Sequence, residues 1–147
     1  MARWIEVSEH TRLLTGQVAI VTGGSNGLGA AIVDRFAENG ALGAIIDWKT
    51  GPTHRPPDSW QVIQADVRDA NSLNSAFEEV IRIFKVVDVV VANAGIVPSW
   101  TSTTEIDLDA WENVFAVNSV TVTTVPIGSG DRMTLAFGVV TRPTQPA

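Results

Sequence analysis

The sequence predicts an α/β fold, an open doubly wound parallel sheet with helices on both faces. Three observations carry that expectation. Strand-like and helix-like segments alternate four times between about residues 16 and 118, the pattern of a parallel sheet with crossover connections. One of the apolar runs, Val87 to Ala92, is rich in valine, as befits a strand buried on both faces. A glycine turn, Thr22-Gly23-Gly24-Ser25-Asn26-Gly27-Leu28-Gly29, follows the first apolar run and opens the first helical one.

Composition sets the frame. The chain has 147 residues, enough for one domain with a real core. It is 45% hydrophobic and 18% charged, a globular balance that argues against bulk disorder. A net charge of −6 disfavours a nucleic-acid or anionic-membrane surface. There is no cysteine, hence no disulfide, thiol nucleophile or thiolate metal site. His10 and His54 lack ligand spacing and read as surface residues. Charged residues through Met1–Leu14 leave no apolar core for a signal peptide, and no run has the roughly 18 apolar residues of a membrane span. These features lead to the expectation of a cytoplasmic protein with no membrane or nucleic-acid partner and no metal.

Residues 1–15 read as a polar lead-in, with Trp4 and Ile5 patching the domain surface. The first strand covers about Gln17–Thr22. The first helix, Gly27 to Glu38, repeats Leu28, Ile32 and Phe36 at four-residue spacing, and Gly40 stops it. The second strand, Leu42–Asp47, ends on a carboxylate. Pro52, Pro56 and Pro57 break Lys49–Ser59, so an irregular crossover is expected to reach the third strand at Gln61–Ala65. Asp69 can cap a helix over Ala70–Phe84 whose apolar face is Leu73, Phe77, Val80, Ile81 and Phe84. The fourth strand is Val87–Ala92. Leu108 to Asn118 reads as a helix with Leu108, Trp111, Val114 and Phe115 inward.

Strand, glycine turn and helix in that order form a cradle for a dinucleotide pyrophosphate, which makes the fold Rossmann-like. Gly23 permits a tight turn with positive φ, Gly27 lets backbone N–H groups approach phosphate, and Gly29 lets helix pack on strand. The helix N-terminus adds unpaired N–H groups and a partial positive charge. Asp47, at the end of the second strand, can accept both ribose hydroxyls of NAD and would repel the 2′-phosphate of NADP. Ser25 and Asn26 in the turn are uncharged, and Lys49 is the one nearby base. NAD is the expected cofactor and NADP the less favoured one.

Residues 16–118 resemble the short-chain dehydrogenase/reductase family. Its Thr-Gly-x-x-x-Gly-x-Gly motif is met at Thr22, Gly23, Gly27 and Gly29, and its Asn-Ala-Gly at Asn93, Ala94 and Gly95. Its Asp-Val pair falls at Asp66 and Val67, and its Trp-x-x-Val-x-x-Val-Asn at Trp111, Val114, Val117 and Asn118. The cofactor-binding set then comprises Thr22, Gly23, Ser25, Asn26, Gly27, Leu28, Gly29, Asp47, Asp66, Val67, Asn93, Ala94 and Gly95. By this resemblance Asn93–Gly95 stabilise the sheet and border the cofactor, and Asp66 and Val67 lie near the adenine. Asn118 joins the catalytic group by holding a proton-relay water. The activity implied is hydride exchange between a nicotinamide and a secondary alcohol or ketone.

The same resemblance calls for a Tyr-x-x-x-Lys pair and a Ser, the acid–base half of the reaction. This chain contains no tyrosine, and its last lysine is Lys85. The expectation is a fold truncated after about four strands, catalytically impaired, with a non-family tail over 119–147. The β-branched run Ser119–Val125 and the stretch Met133–Thr141 flank a turn through Pro126 and Gly128–Asp131. Two readings of that tail stand: a hairpin docked beside the fourth strand, or an irregular tail foreign to the fold. An open valine-rich edge would invite self-association. Three functions remain: an oxidoreductase, a non-catalytic dinucleotide-binding or regulatory module, and a product without molecular function.

Overall fold

The computed structural model describes residues 12–49, 55–97, 107–123 and 134–135. Trp4, Ile5, His10 and His54 lie outside them, as do residues 50–54 of the proline-rich crossover and most of the tail. Five parallel strands form one sheet in the order β3-β2-β1-β4-β5. They are β1 (Val18–Thr22), β2 (Leu42–Asp47), β3 (Trp60–Gln64), β4 (Val89–Val91) and β5 (Thr134–Leu135). Three helices join them: α1 (Gly27–Glu38), α2 (Ala70–Phe84) and α3 (Leu108–Thr123). No helix among the described residues is long and apolar enough to cross a membrane.

The strands β1, β2 and β4 are buried on both faces because they are apolar at nearly every position. Alternation along β1 divides the core: Ile20 points to one side, Ala19 and Val21 to the other. On the Ile20 side Ala44, Ile46 and Val90 meet Leu73, Ala76, Phe77 and Val80 of α2. On the other, Ile45, Val89 and Val91 meet Val33 of α1 and Trp60 of β3, with Ile32 and Phe36 partly buried beside them. Helices on opposite faces make the sheet doubly wound. The end of the lead-in joins this second face: the Leu14 N–H donates to the Asn39 carbonyl (3.0 Å), and the side chain packs on the cluster.

Both α1 and α2 occupy the expected residues, and the Asp69 side chain accepts the Asn71 N–H (2.9 Å) as the cap of α2. The buried face of α1 is rotated from the expected one, while that of α2 keeps Leu73, Phe77, Val80 and Phe84. Leu28 is 72% exposed, and α1 lies on the sheet through Gly29, Ala30 and Val33. Small residues let the helix axis approach the strands, and a search for large apolar side chains passes over them. In α2, Ile81 is exposed and Ala76 is buried.

The larger departures concern α3. Leu108, Trp111 and Phe115 are exposed, Val114 is half-buried, and Val117 is the residue that packs against the core. The helix also runs through Ser119–Thr123, a β-branched run read as one arm of a hairpin or as irregular tail. Each β-branched residue opposes helix by only a few tenths of a kcal/mol, and a helix already nucleated propagates through such a run. Of the two readings of the tail, the docked one is met in part: among its described residues, Thr134 and Leu135 pair in parallel with Val89 and Val90. The edge of β4 is therefore covered at two residues.

Candidate functional site

The cleft opens at the C-terminal ends of β1, β2 and β4. There the strand order reverses direction about β1, which is where open α/β sheets place ligands. Its volume is about 640 Å³, within the range of small-molecule sites.

Thr22 holds its floor. The hydroxyl oxygen accepts the N–H groups of Asn93 (3.1 Å) and Ala94 (3.0 Å). The Asn93 side-chain amide returns the link, donating to the carbonyls of Thr22 (3.0 Å) and Gly23 (3.2 Å). The Gly23 N–H donates to the Ile46 carbonyl at 2.8 Å. The turn is thereby fastened to the ends of both neighbouring strands. Thr22 and Asn93 act beneath the cleft, satisfying backbone groups that would otherwise be buried without partners.

The glycines divide the labour. Gly23 has φ +66°, and a Cβ there would stand 2.9 Å from Ala94 Cα. At Gly29 a Cβ would overlap the Gly23 carbonyl oxygen and stand 2.6 Å from Asn93 Nδ2. Gly27 is different: φ is +54°, yet a Cβ would meet nothing within 4 Å. Its conformation demands glycine while the space beside it stays open. Next to it α1 begins at Asn26, an extended N-cap that makes no side-chain cap bond, and the first turn carries no acid.

Asp47 closes the other side of the turn. Its carboxylate is 6% exposed, accepting the Ser25 N–H at Oδ2 (3.1 Å) and, at the longer distance of 3.4 Å, the Lys49 N–H at Oδ1. A buried carboxylate is favoured there because a backbone donor meets it. Ser25 is likewise buried. Trp48 follows in the wall of the cleft, exposed, with the Lys49 ammonium 4.5 Å from its ring centroid.

At the far end Asp66 and Arg68 form an ion pair beside the buried Val67. Arg68 grips both carboxylate oxygens through Nε (2.9 and 3.0 Å) and holds the Asp66 carboxyl below its ordinary range, chiefly by side-chain hydrogen bonding. The same pair raises the Arg68 guanidinium. Arg68 Nη1 also reaches Asn113 Oδ1 on α3 (2.7 Å).

Asn118 spends its side chain on one residue. Oδ1 accepts the Ile96 N–H (2.9 Å) and Nδ2 donates to the Ile96 carbonyl (3.1 Å), which pins the segment after β4 to α3. Gly95 lies close below, where a Cβ would stand 3.3 Å from Asn118 Oδ1.

Of the residues singled out from sequence, Gly23, Asn26, Leu28, Gly29, Asp47, Asp66, Val67, Asn93, Ala94, Gly95 and Asn118 line the one cleft. Thr22 and Ser25 are buried behind it, and Gly27 is exposed at its mouth. Leu28, expected both on the inner face of α1 and in the cofactor-binding set, lines the cleft and leaves the inner face. Trp48, Arg68 and Asn113 also line it and went unnoticed. Arg68 had a signal in the sequence, a cation two residues after a candidate carboxylate. Asn113 had none, because its partner is 45 residues away.

A model of the short chain dehydrogenase family matches residues 17–127. The 3beta-hydroxysteroid dehydrogenase 2 of Eggerthella lenta is 31% identical over 118 residues, covering 76% of this chain and 45% of the relative. An uncharacterized oxidoreductase of Thermotoga maritima is 38% identical over 113 residues, covering 72% and 44%. Among solved structures, a 3-ketoacyl-(acyl-carrier-protein) reductase from Brucella melitensis, complexed with NADH, superposes with a TM-score of 0.71 at 28% identity. It covers 74% of this chain and 46% of that one. The chain spans about half the length of the curated relatives it matches.

Proposed function

Because this chain belongs to the short-chain dehydrogenase family, we propose that its cleft binds a nicotinamide dinucleotide, NAD in preference to NADP. The observation that carries the reading is the turn around Gly27. A left-handed glycine with open space beside it adjoins a helix N-terminus free of acidic residues in its first turn, which is a cradle for a pyrophosphate. The NADH in the Brucella melitensis reductase supports it.

The residues fit the cofactor from end to end. N–H groups of the turn and of the first turn of α1 receive the pyrophosphate, over the floor built by Thr22, Gly23 and Asn93. Asp47 receives the ribose hydroxyls; its Oδ1 retains acceptor capacity because the Lys49 bond is long. A second negative group at that place would be repelled, which is the ground for NAD. Asp66 and Val67 border the adenine, and Ala94 and Gly95 the nicotinamide side. Bound NAD or NADH supplies hydride transfer to or from a carbon bearing oxygen. Asn118 orients the segment around Ile96 and, as the family resemblance implies, holds a proton-relay water. We take residues 16–118 as the binding unit.

A second reading rests on composition. No residue of the 147 is tyrosine, and no lysine follows Lys85, so the acid–base pair that the resemblance calls for has no counterpart here. We therefore propose that this chain holds NAD with little or no turnover of secondary alcohols or ketones, as a binding module within an oxidoreductase family.

Calorimetric titration with NAD, NADH and NADP tests both readings. Saturable heat with NAD or NADH, and at least tenfold weaker binding of NADP, is the expected result. No heat from any of them, with folding confirmed by circular dichroism, would overturn the cofactor reading. Ordinary dehydrogenase turnover by these 147 residues would overturn the second.

A further inference from the structure

Among the described residues, three charged side chains line the cleft, and Arg68 is the single cation among them. Its environment is unusual for an arginine on a loop. The Arg68 N–H and Nε both donate to Asp66 Oδ1 (2.9 Å each), while Nε and Nη2 donate to Oδ2. Nη1 donates to Asn113 Oδ1 at 2.7 Å. A planar guanidinium has its donors at fixed angles, so gripping a carboxylate on one side and an amide on the other locks its own plane. Asp66 is fixed in turn at its backbone, where its N–H donates to Ser72 Oγ (3.2 Å).

We propose that Arg68 is a positioning residue for recognition of the adenine half of the cofactor, acting as a strut between Asp66 and Asn113. The inference rests on the nucleotide reading of the cleft. Without Arg68, a carboxylate one-third exposed would rotate and hydrate freely. With it, Oδ1 and Oδ2 each meet two donors, Nε being shared between them, and the plane of the carboxylate is fixed. The carboxylate then meets an exocyclic amine at one angle, in a plane that Arg68 holds. Asn113 supplies the other anchor. It stands on α3, the helix that also carries Val117 into the core and Asn118 onto Ile96. The strut therefore joins the adenine end of the cleft to the helix bordering its other end.

Double-mutant calorimetry on the 147-residue chain tests the strut, with ADP and nicotinamide mononucleotide as probes of the two halves of NAD. In R68A, affinity for NAD and ADP should fall about tenfold, the scale of a lost charge-assisted hydrogen bond, with nicotinamide mononucleotide unchanged. R68K keeps the charge without the fork and should recover little. N113A should weaken NAD and ADP a few-fold, and R68A/N113A should bind as R68A does, because the two residues act through one contact. Equal losses for both half-ligands, additive losses in the double variant, or unchanged binding in R68A would each overturn the proposal. N113A leaves the ion pair intact and carries the same comparison if R68A does not fold by circular dichroism. Failure of the unaltered chain to bind NAD would overturn the nucleotide reading itself. Binding by the unaltered chain with R68A unaffected would overturn the strut alone.

Discussion

The glycine turn and helix α3 both border the cleft, yet they are held by different means. Around the turn the backbone is tied on every side: Thr22, Gly23 and Ser25 exchange hydrogen bonds with Ile46, Asp47, Asn93 and Ala94. The residues beneath it, Ile20, Val21, Ile45 and Ile46, are almost wholly buried. Among its described side chains, helix α3 is held through Val117 and through the contacts of Asn113 and Asn118, with Leu108, Trp111 and Phe115 turned outward. The contrast teaches where stability and adaptability reside. A pyrophosphate cradle needs fixed donors and tolerates little movement. A helix held by a few contacts costs less to shift, and local opening is drawn from such weakly packed elements.

The largest effect that would sharpen this contrast lies under the sheet. Phe77 is 2% exposed in the cluster between α2 and the strands. Phe77→Ala removes an aromatic ring from a close-packed core and should destabilise the chain by about 4 kcal/mol. Urea denaturation followed by tryptophan fluorescence reads it. A loss below about 1 kcal/mol would mean that the α2 face is loosely packed, and the contrast with α3 would fail. Gly29→Ala comes next. The new methyl overlaps the Gly23 carbonyl oxygen and crowds the Asn93 amide, both of them fixed parts of the turn. Overpacking against backbone should cost about 3 kcal/mol, and NAD titration should show no saturable heat. Unchanged binding would show that the turn yields as easily as α3.

The same contrast separates what could be read in the sequence from what could not. Helices α1 and α2 were legible to the residue because each carries a local signal: a glycine turn before one, an aspartate cap before the other. The cleft was legible because Gly23, Asp47 and Asn93 fall at strand ends, which parallel strands bring together, and a short motif sets Asn118 on the helix beside them. Which face a helix buries is another matter. In α1 the contact surface is Gly29 and Ala30 as much as Val33, and hydrophobic periodicity gives small residues no weight. In α3 the Leu108, Trp111 and Phe115 row has ideal helical spacing, but spacing cannot say whether anything lies opposite. Ser119–Thr123 reads as strand from its β-branched residues, and the helix before it decides otherwise. Arg68–Asn113 is a contact of tertiary structure alone.

A smaller effect probes the join between the two regions. Arg68 holds the Asp66 carboxyl below its ordinary range in the folded state, so the deprotonated group is stabilised by folding. That contribution is complete above the ordinary carboxylate pKa, near 4, and is lost as pH falls through the lower, folded value. Urea midpoints should therefore be insensitive to this group between about pH 5 and 7 and decline in the acid range. Asp66→Asn should flatten part of that decline. An acid limb unchanged by the substitution would mean that the pair is too hydrated to couple the loop to α3.

The smallest effect is the most discriminating. Phe115 is the same residue type as Phe77 but is 53% exposed, its ring 5.0 Å from that of Trp111. If burial governs the difference between the regions, Phe115→Ala should change stability by no more than about 0.5 kcal/mol, the usual range for surface positions. The ring contact adds little because an exposed pair displaces little water and its partner is itself half in solvent. A loss near that of Phe77→Ala, in dilute solution and independent of protein concentration, would place Phe115 in a core contact within the monomer. A loss that grows with protein concentration would place it in an interface between copies. In either case α3 would belong with the tightly held half of the molecule, and the adaptability assigned to it would have to be sought elsewhere along the cleft.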